Sequence, residues 1–158
     1  MHKNFWLYFL FVFSFIKCSN IFAQEKTNDS VSTFQTFAPK IFLDCNSCDN
    51  DYLREEITFV NYVRDRTQAD IHILVTTQET GSGGKEYSLT FIGQNAFENK
   101  NDTLHFTTKP SATSDERRAE MARVLKLGLL PYAIKTPLAE KFSLSFSGET
   151  KQGQVEDK

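Results

Sequence analysis

Ala69-Asp70-Ile71-His72-Ile73-Leu74-Val75-Thr76-Thr77, then Gly81-Ser82-Gly83-Gly84, then Tyr87-Ser88-Leu89-Thr90-Phe91-Ile92 is the stretch that decides the fold. Ile71, Ile73 and Val75 point one way and His72, Leu74 and Thr76 the other, the two-residue period of a strand. Tyr87, Leu89 and Phe91 repeat it against Ser88, Thr90 and Ile92. The glycine-rich turn Gly81-Ser82-Gly83-Gly84 lies between the two runs, so a β-hairpin is predicted. The comparison of Gly81-Ser82-Gly83-Gly84-Lys85 with a phosphate-cradling loop fails. Such a loop needs Ser or Thr after the lysine and a helix beyond, whereas Glu86 and a strand follow Lys85.

Working outward, a further short strand is predicted at Leu104–Thr107, past a polar loop from Gly93 to Asp102. Upstream, Lys40-Ile41-Phe42-Leu43 after Pro39 reads as a strand buried on both faces. Leu53, Ile57, Val60 and Val63 fall at i, i+4, i+7 and i+10, predicting a helix from about Asp51 to Arg64, with Asp49 or Asp51 as cap. Downstream, Thr113 and Glu116 stand at capping-box spacing, and Met121, Val124, Leu125 and Gly128 continue an apolar face up to Pro131, which is expected to end or kink a second helix. Phe142-Ser143-Leu144-Ser145-Phe146-Ser147 alternates as a final strand. The expected order is β-α-β-β-β-α-β: an α+β domain with a mixed sheet of about five strands and two helices on one face.

The first 23 residues form a separate unit. Lys3 precedes an apolar run from Phe5 to Ile16, and the stretch closes on Ile21-Phe22-Ala23 before Gln24, the pattern of a cleaved secretory signal. The run is too short for a membrane span, which takes roughly 20 apolar residues. Cys18 follows Lys17, where a lipoprotein signal wants a small uncharged residue, so loss with the signal is the expectation. Gln24 to about residue 38 is a polar leader, residues 39–147 a single domain, and 148–158 a polar tail or linker. The localisation expected is secretion across the inner membrane, to the periplasm or in association with the outer membrane, with no stable span once the signal is gone. Of 18 basic and 20 acidic residues, Lys3 and Lys17 leave with the signal, so the mature charge is −4. A mildly acidic chain is a poor candidate for nucleic-acid binding, which usually shows a basic face.

Cys45-Asn46-Ser47-Cys48 lies between a predicted strand and a helix start. In an oxidising compartment the pair is expected as a structural disulfide. The alternative is a thiol-disulfide oxidoreductase in which Cys45 attacks and Cys48 resolves, since a helix N-terminus lowers a thiol pKa. Thr136-Pro137 before the last strand fits the thioredoxin-like layout, while Asn-Ser between the cysteines, the missing Trp before them and three consecutive strands do not. His72 and His105 each sit on a predicted strand and could meet on one sheet face if the register allowed, yet no metal-ligand spacing is present. Asp115, Glu116, Arg117, Arg118, Glu120 and Arg123 read as a solvated helix face. No catalytic constellation, cofactor or metal is expected.

Four blocks together resemble a known group: Phe59-Val60-Asn61-Tyr62-Val63-Arg64-Asp65-Arg66, Ala69 to Gln78, Glu86-Tyr87 with Phe91-Ile92-Gly93-Gln94, and Leu125-Lys126-Leu127-Gly128-Leu129. The chain is similar to the N-terminal α/β region of uncharacterised exported, outer-membrane-barrel-associated proteins of Bacteroidetes-type Gram-negative bacteria. The resemblance covers about Pro39 to Phe146 and implies an envelope location with a partner there; it assigns no catalytic residue. The chain departs from it by ending at Lys158 without a run of barrel strands. The function expected is a periplasmic, non-enzymatic interaction module, with the oxidoreductase as alternative. A small-ligand carrier using the sheet face left bare by the helices is a third reading.

Overall fold

A computed structural model describes residues 35–145. The hairpin is its centre: β3 (Ile71–Glu79) and β4 (Lys85–Gly93) pair antiparallel along their whole length, from Ile71 opposite Gly93 to Glu79 opposite Lys85. Thr80 N–H donates to Gly84 O at 2.9 Å and Gly83, at φ +83°, turns the chain back. β5 (Asn101–Thr108) continues the meander antiparallel to β4. On the other side β1 (Lys40–Asp44) pairs parallel with β3, Ile41 opposite Ile71, and β2 (Asn61–Tyr62) pairs parallel with β1. The sheet is mixed and five-stranded, in the order β2-β1-β3-β4-β5. With helices α1 (Asn50–Glu56) and α2 (Ser114–Ala133) the protein is an α+β domain.

The pleat decides the core. Ile41, Ile71, Ile73, Tyr87, Leu89, Phe91 and Phe106 share the face that packs against Leu53 of α1 and Met121, Val124, Leu125 and Leu129 of α2. Tyr87 and Phe106, opposite one another in register, stack at 4.6 Å between ring centroids. α2 lies close on the sheet at Gly128. A Cβ there would lie 2.0 Å from Cζ of the fully buried Phe91 ring, so the ring occupies the space a side chain would need. α2 starts with the expected capping box: Glu116 N–H donates to Thr113 Oγ1 at 3.1 Å, and Thr113 N–H to Glu116 Oε2 at 2.7 Å. The two helices are tied by Lys126 Nζ to Glu56 Oε2 at 2.7 Å, and by Arg118, which reaches Asp49 at 3.3 Å while lying 4.6 Å above the Tyr52 ring.

Three sequence expectations need correction. The first helix stops at Glu56, not Arg64: Ile57 N–H makes the last bond, to Leu53 O, and the β-branched and aromatic run Ile57-Thr58-Phe59-Val60 leads into β2. Ile57 and Val60 are buried as the helical stripe required, but extended chain puts them there. The second helix does not end or break at Pro131; it runs on to Ala133, because a proline in the last turn forfeits one backbone bond and Ile134 N–H still reaches Leu130 O. The final strand does not form over residues 142–145, which are irregular, with Leu144 78% exposed; residues 146 and 147 lie outside the described residues. Phe142 packs edge-on against Phe59, at 5.2 Å. The fifth place in the sheet belongs instead to Asn61–Tyr62, giving β-α-β-β-β-β-α.

The predicted signal and most of the leader, residues 1–34, and the tail fall outside the described residues. From Gln35 the chain is held: Asn61 Nδ2 donates to Gln35 O and to Ala38 O, and Ala38 is buried. Among the described residues no helix is long and apolar enough to cross a membrane.

Candidate functional site

Both helices contribute to one core cluster, so the opposite side of the sheet carries the residues of the other pleat phase. The register sets them out in rows across the strands. Phe42, His72 and Ile92 form the first row, Asp44, Leu74, Thr90 and Thr103 the second, Thr76, Ser88 and His105 the third, and Gln78, Glu86 and Thr107 the fourth. One end is apolar and half-buried, the other rich in hydroxyl groups.

His72 is the most unusual member. It is 7% exposed, tilts against Phe42 with ring centroids 5.4 Å apart, and holds Nε2 at 3.6 Å from Asp44 Oδ2, beyond hydrogen-bonding distance. Nε2 is buried with no hydrogen-bond partner. A buried unpartnered nitrogen costs stability, so the position favours a group that can complete it.

His105, the other candidate, is exposed and pairs across the strands with Ser88, Oγ to Nδ1 at 2.8 Å. The register keeps the two histidines apart: they share a face but stand two strands and four residues from each other, on the order of 16 Å. No group of three metal-ligating side chains exists among the described residues. Ser88–His105 has the atom types of a nucleophile and base, but no ion pair joins His105 to a carboxylate among the described residues, and a flat strand face aims no pair of backbone donors at one point. It acts as a cross-strand tie.

Cys45 Sγ and Cys48 Sγ stand at bonding distance, 1.99 Å, in the turn between β1 and α1. Asp49 caps that helix, accepting from Tyr52 N–H at 3.1 Å, and the same carboxylate takes Arg118. Cys48 packs on the helix-side core, whereas Asp44 and His72 belong to the other face, so the imidazole and the sulfur pair are not one constellation.

A third feature escaped the sequence reading. A hollow of about 300 Å³ lies between the start of β5 and the end of α2, lined by Lys100, Asn101, Asp102, Pro131, Tyr132 and Lys135. Tyr132 O–H donates to Lys100 O at 2.7 Å, and burial, with Asp102 nearby, raises its pKa. The Lys135 amine beside Lys100 holds the Lys100 ammonium below its ordinary value.

No family model matches the chain, and no curated protein matches it.

Proposed function

We propose that the protein is an exported cell-envelope module that works by contacting a protein partner in the periplasm or at the outer membrane. The observation that carries this reading is the sheet face free of both helices, where half-buried Phe42, Leu74 and Ile92 share the face with His72, whose Nε2 lacks a partner. Apolar residues beside an orphan polar group, rimmed by hydroxyls, make a surface that gains by being covered. The signal-like first 23 residues and the resemblance to barrel-associated exported proteins support an envelope location.

The test is site-specific photo-crosslinking in intact cells. A photoreactive residue at Leu74 or Ile92 is expected to give a discrete adduct in the envelope fraction, and one at exposed Glu98, off that face, none. Equal labelling from both positions, or monomer alone from all of them, overturns the reading.

A second reading, thiol-disulfide exchange, is favoured by one observation: the sulfurs of Cys45 and Cys48 meet immediately before a capped helix. Its test is the reduction potential of the pair. A reactive couple sits above about −300 mV and a structural bridge below it.

A further inference from the structure

β1 and β3 are unequal in length, and the difference leaves an opening. β1 covers β3 only from Ile71 to Leu74; at Asp44 the chain turns away into Cys45–Cys48, while β3 runs on to Glu79, paired there, among the described residues, with β4 alone. Residues 75–79 thus border a lane of roughly 17 Å, at about 3.4 Å per residue, that no other strand among the described residues fills. The direction of its backbone groups follows from the hairpin. Thr80 N–H bonds to Gly84 O at the closed end and Gln94 N–H to Asp70 O at the other, so the alternation of an antiparallel ladder gives Thr76 and Gln78 to β4 and turns Thr77 and Glu79 outward, into the lane. Among the described residues nothing pairs with them, and both are exposed.

The other edges differ. β2 has two residues, and on β5 the Thr103 amide is already taken by the side chain of Asp102 at 2.8 Å, a carboxylate guarding an edge. Among the described residues the lane beside β3 has no such guard. Its charge is one-sided: Asp44 stands at the inner end, Glu79 at the outer, and Glu86, fixed by Gln78 Nε2 at 2.7 Å, one strand behind, against Lys85 opposite Glu79.

We infer that the lane takes an extended, positively charged segment of a partner protein, which adds to β3 as a strand over Val75–Glu79. Resting on the reading of the protein as an interaction module, this names the partner's contact class: main-chain bonds to Thr77 and Glu79 give the affinity, and basic side chains facing Asp44 and Glu79 give the preference. The disulfide turn closes one end of the lane and limits the register.

The mature protein would be titrated with a short peptide alternating Val and Thr between two terminal lysines, amide exchange being followed residue by residue. The expected result is protection of the Thr77 and Glu79 amides, at least about fivefold at saturation, and none when glutamates replace the lysines. Thr77→Pro, which removes a lane donor and leaves the β4 ladder untouched, should weaken the peptide at least about tenfold. Glu79→Lys should reverse the preference to the glutamate peptide, and serves if the proline variant does not fold. Protection confined to β5, no protection anywhere, or unchanged binding by folded Thr77→Pro or Glu79→Lys overturns the inference. If the Leu74 crosslink still traps an envelope protein, the lane alone is refuted; if that is lost as well, the interaction reading falls too.

Discussion

Gly128→Ala is a change that helix propensity alone would favour, since alanine is about 1 kcal/mol better than glycine inside a helix. The structure reverses that expectation. The added Cβ would meet Phe91 at 2.0, 2.3 and 2.7 Å from three ring carbons, where ordinary contacts begin near 3.4 Å. Phe91 is fully buried between Ile73 and Asp102 in register, so the ring cannot move out of the way, and α2 must shift by more than 1 Å. Overpacking of this kind costs about 1–3 kcal/mol, and the closeness here argues for the top of that range. After the propensity gain the net loss is about 2 kcal/mol, or roughly 8–16 °C in Tm for a domain of this size. Thermal and urea unfolding of Gly128→Ala, alone and with Phe91→Leu, measure it. The double variant should recover at least half of the loss, because the smaller side chain vacates the position of the Cζ atom. A Gly128→Ala protein as stable as the parent, or losses that simply add, would refute the close-packing argument.

Reducing Cys45–Cys48 should cost about 2 kcal/mol, the chain-entropy value for so short a loop, read as a lower melting temperature in dithiothreitol; a fall large enough to unfold the domain would contradict it. His72→Leu should leave the protein as stable or stabilise it by about 1 kcal/mol, since it removes a buried nitrogen without a partner; a clear loss on denaturant unfolding would mean the imidazole is bound in the free protein. Tyr62 donates to Leu53 O at 3.0 Å, and burial pushes its pKa up to about 12, with Arg54 over the ring opposing. A phenol whose folded pKa exceeds its unfolded value of about 10 contributes stability that is whole below pH 10 and lost as pH rises towards 12. Tyr62→Phe should flatten that alkaline decline. The Thr113 amide and hydroxyl hold the Glu116 carboxylate below its ordinary pKa, so its contribution is present at neutral pH and fades as pH falls through the folded value. Thr113→Ala should cost about 1 kcal/mol at pH 7 and less in acid.

The hairpin was legible because two alternating runs met at glycines, and the second helix because Thr113 and Glu116 marked its start; both signals are local. The first helix was overextended for a physical reason. Leu53, Ile57 and Val60 satisfy a helical stripe, but a short helix followed by extended chain buries the same three side chains, and spacing cannot separate the two cases. The failure of Phe142–Ser145 to form a strand has the converse cause. Alternation states which residues would share a face and is silent on whether a free edge exists, and Asn61–Tyr62, absorbed into the helix by the sequence reading, holds the edge beside β1. At the site, His72 and His105 could be assigned to one sheet face, but their separation depends on register. Residue spacing along one chain does not set it, so the pairs Asp44–His72 and Ser88–His105 appeared only in three dimensions.

The mixed sheet also implies an order of assembly. Strands β3, β4 and β5 follow one another through a turn and one short loop, so their pairings enclose little chain, whereas β1 meets β3 only after about thirty intervening residues are looped out. Loop closure of that kind is the slower event, and the meander should be the nucleus on which the parallel pair later docks. A chain pulled from its N-terminus would then yield in two stages, shedding β1 and β2 before the meander ruptures. Whenever such a chain emerges N-terminus first, as it does during synthesis, the strands emerging earliest would be the last to find their places.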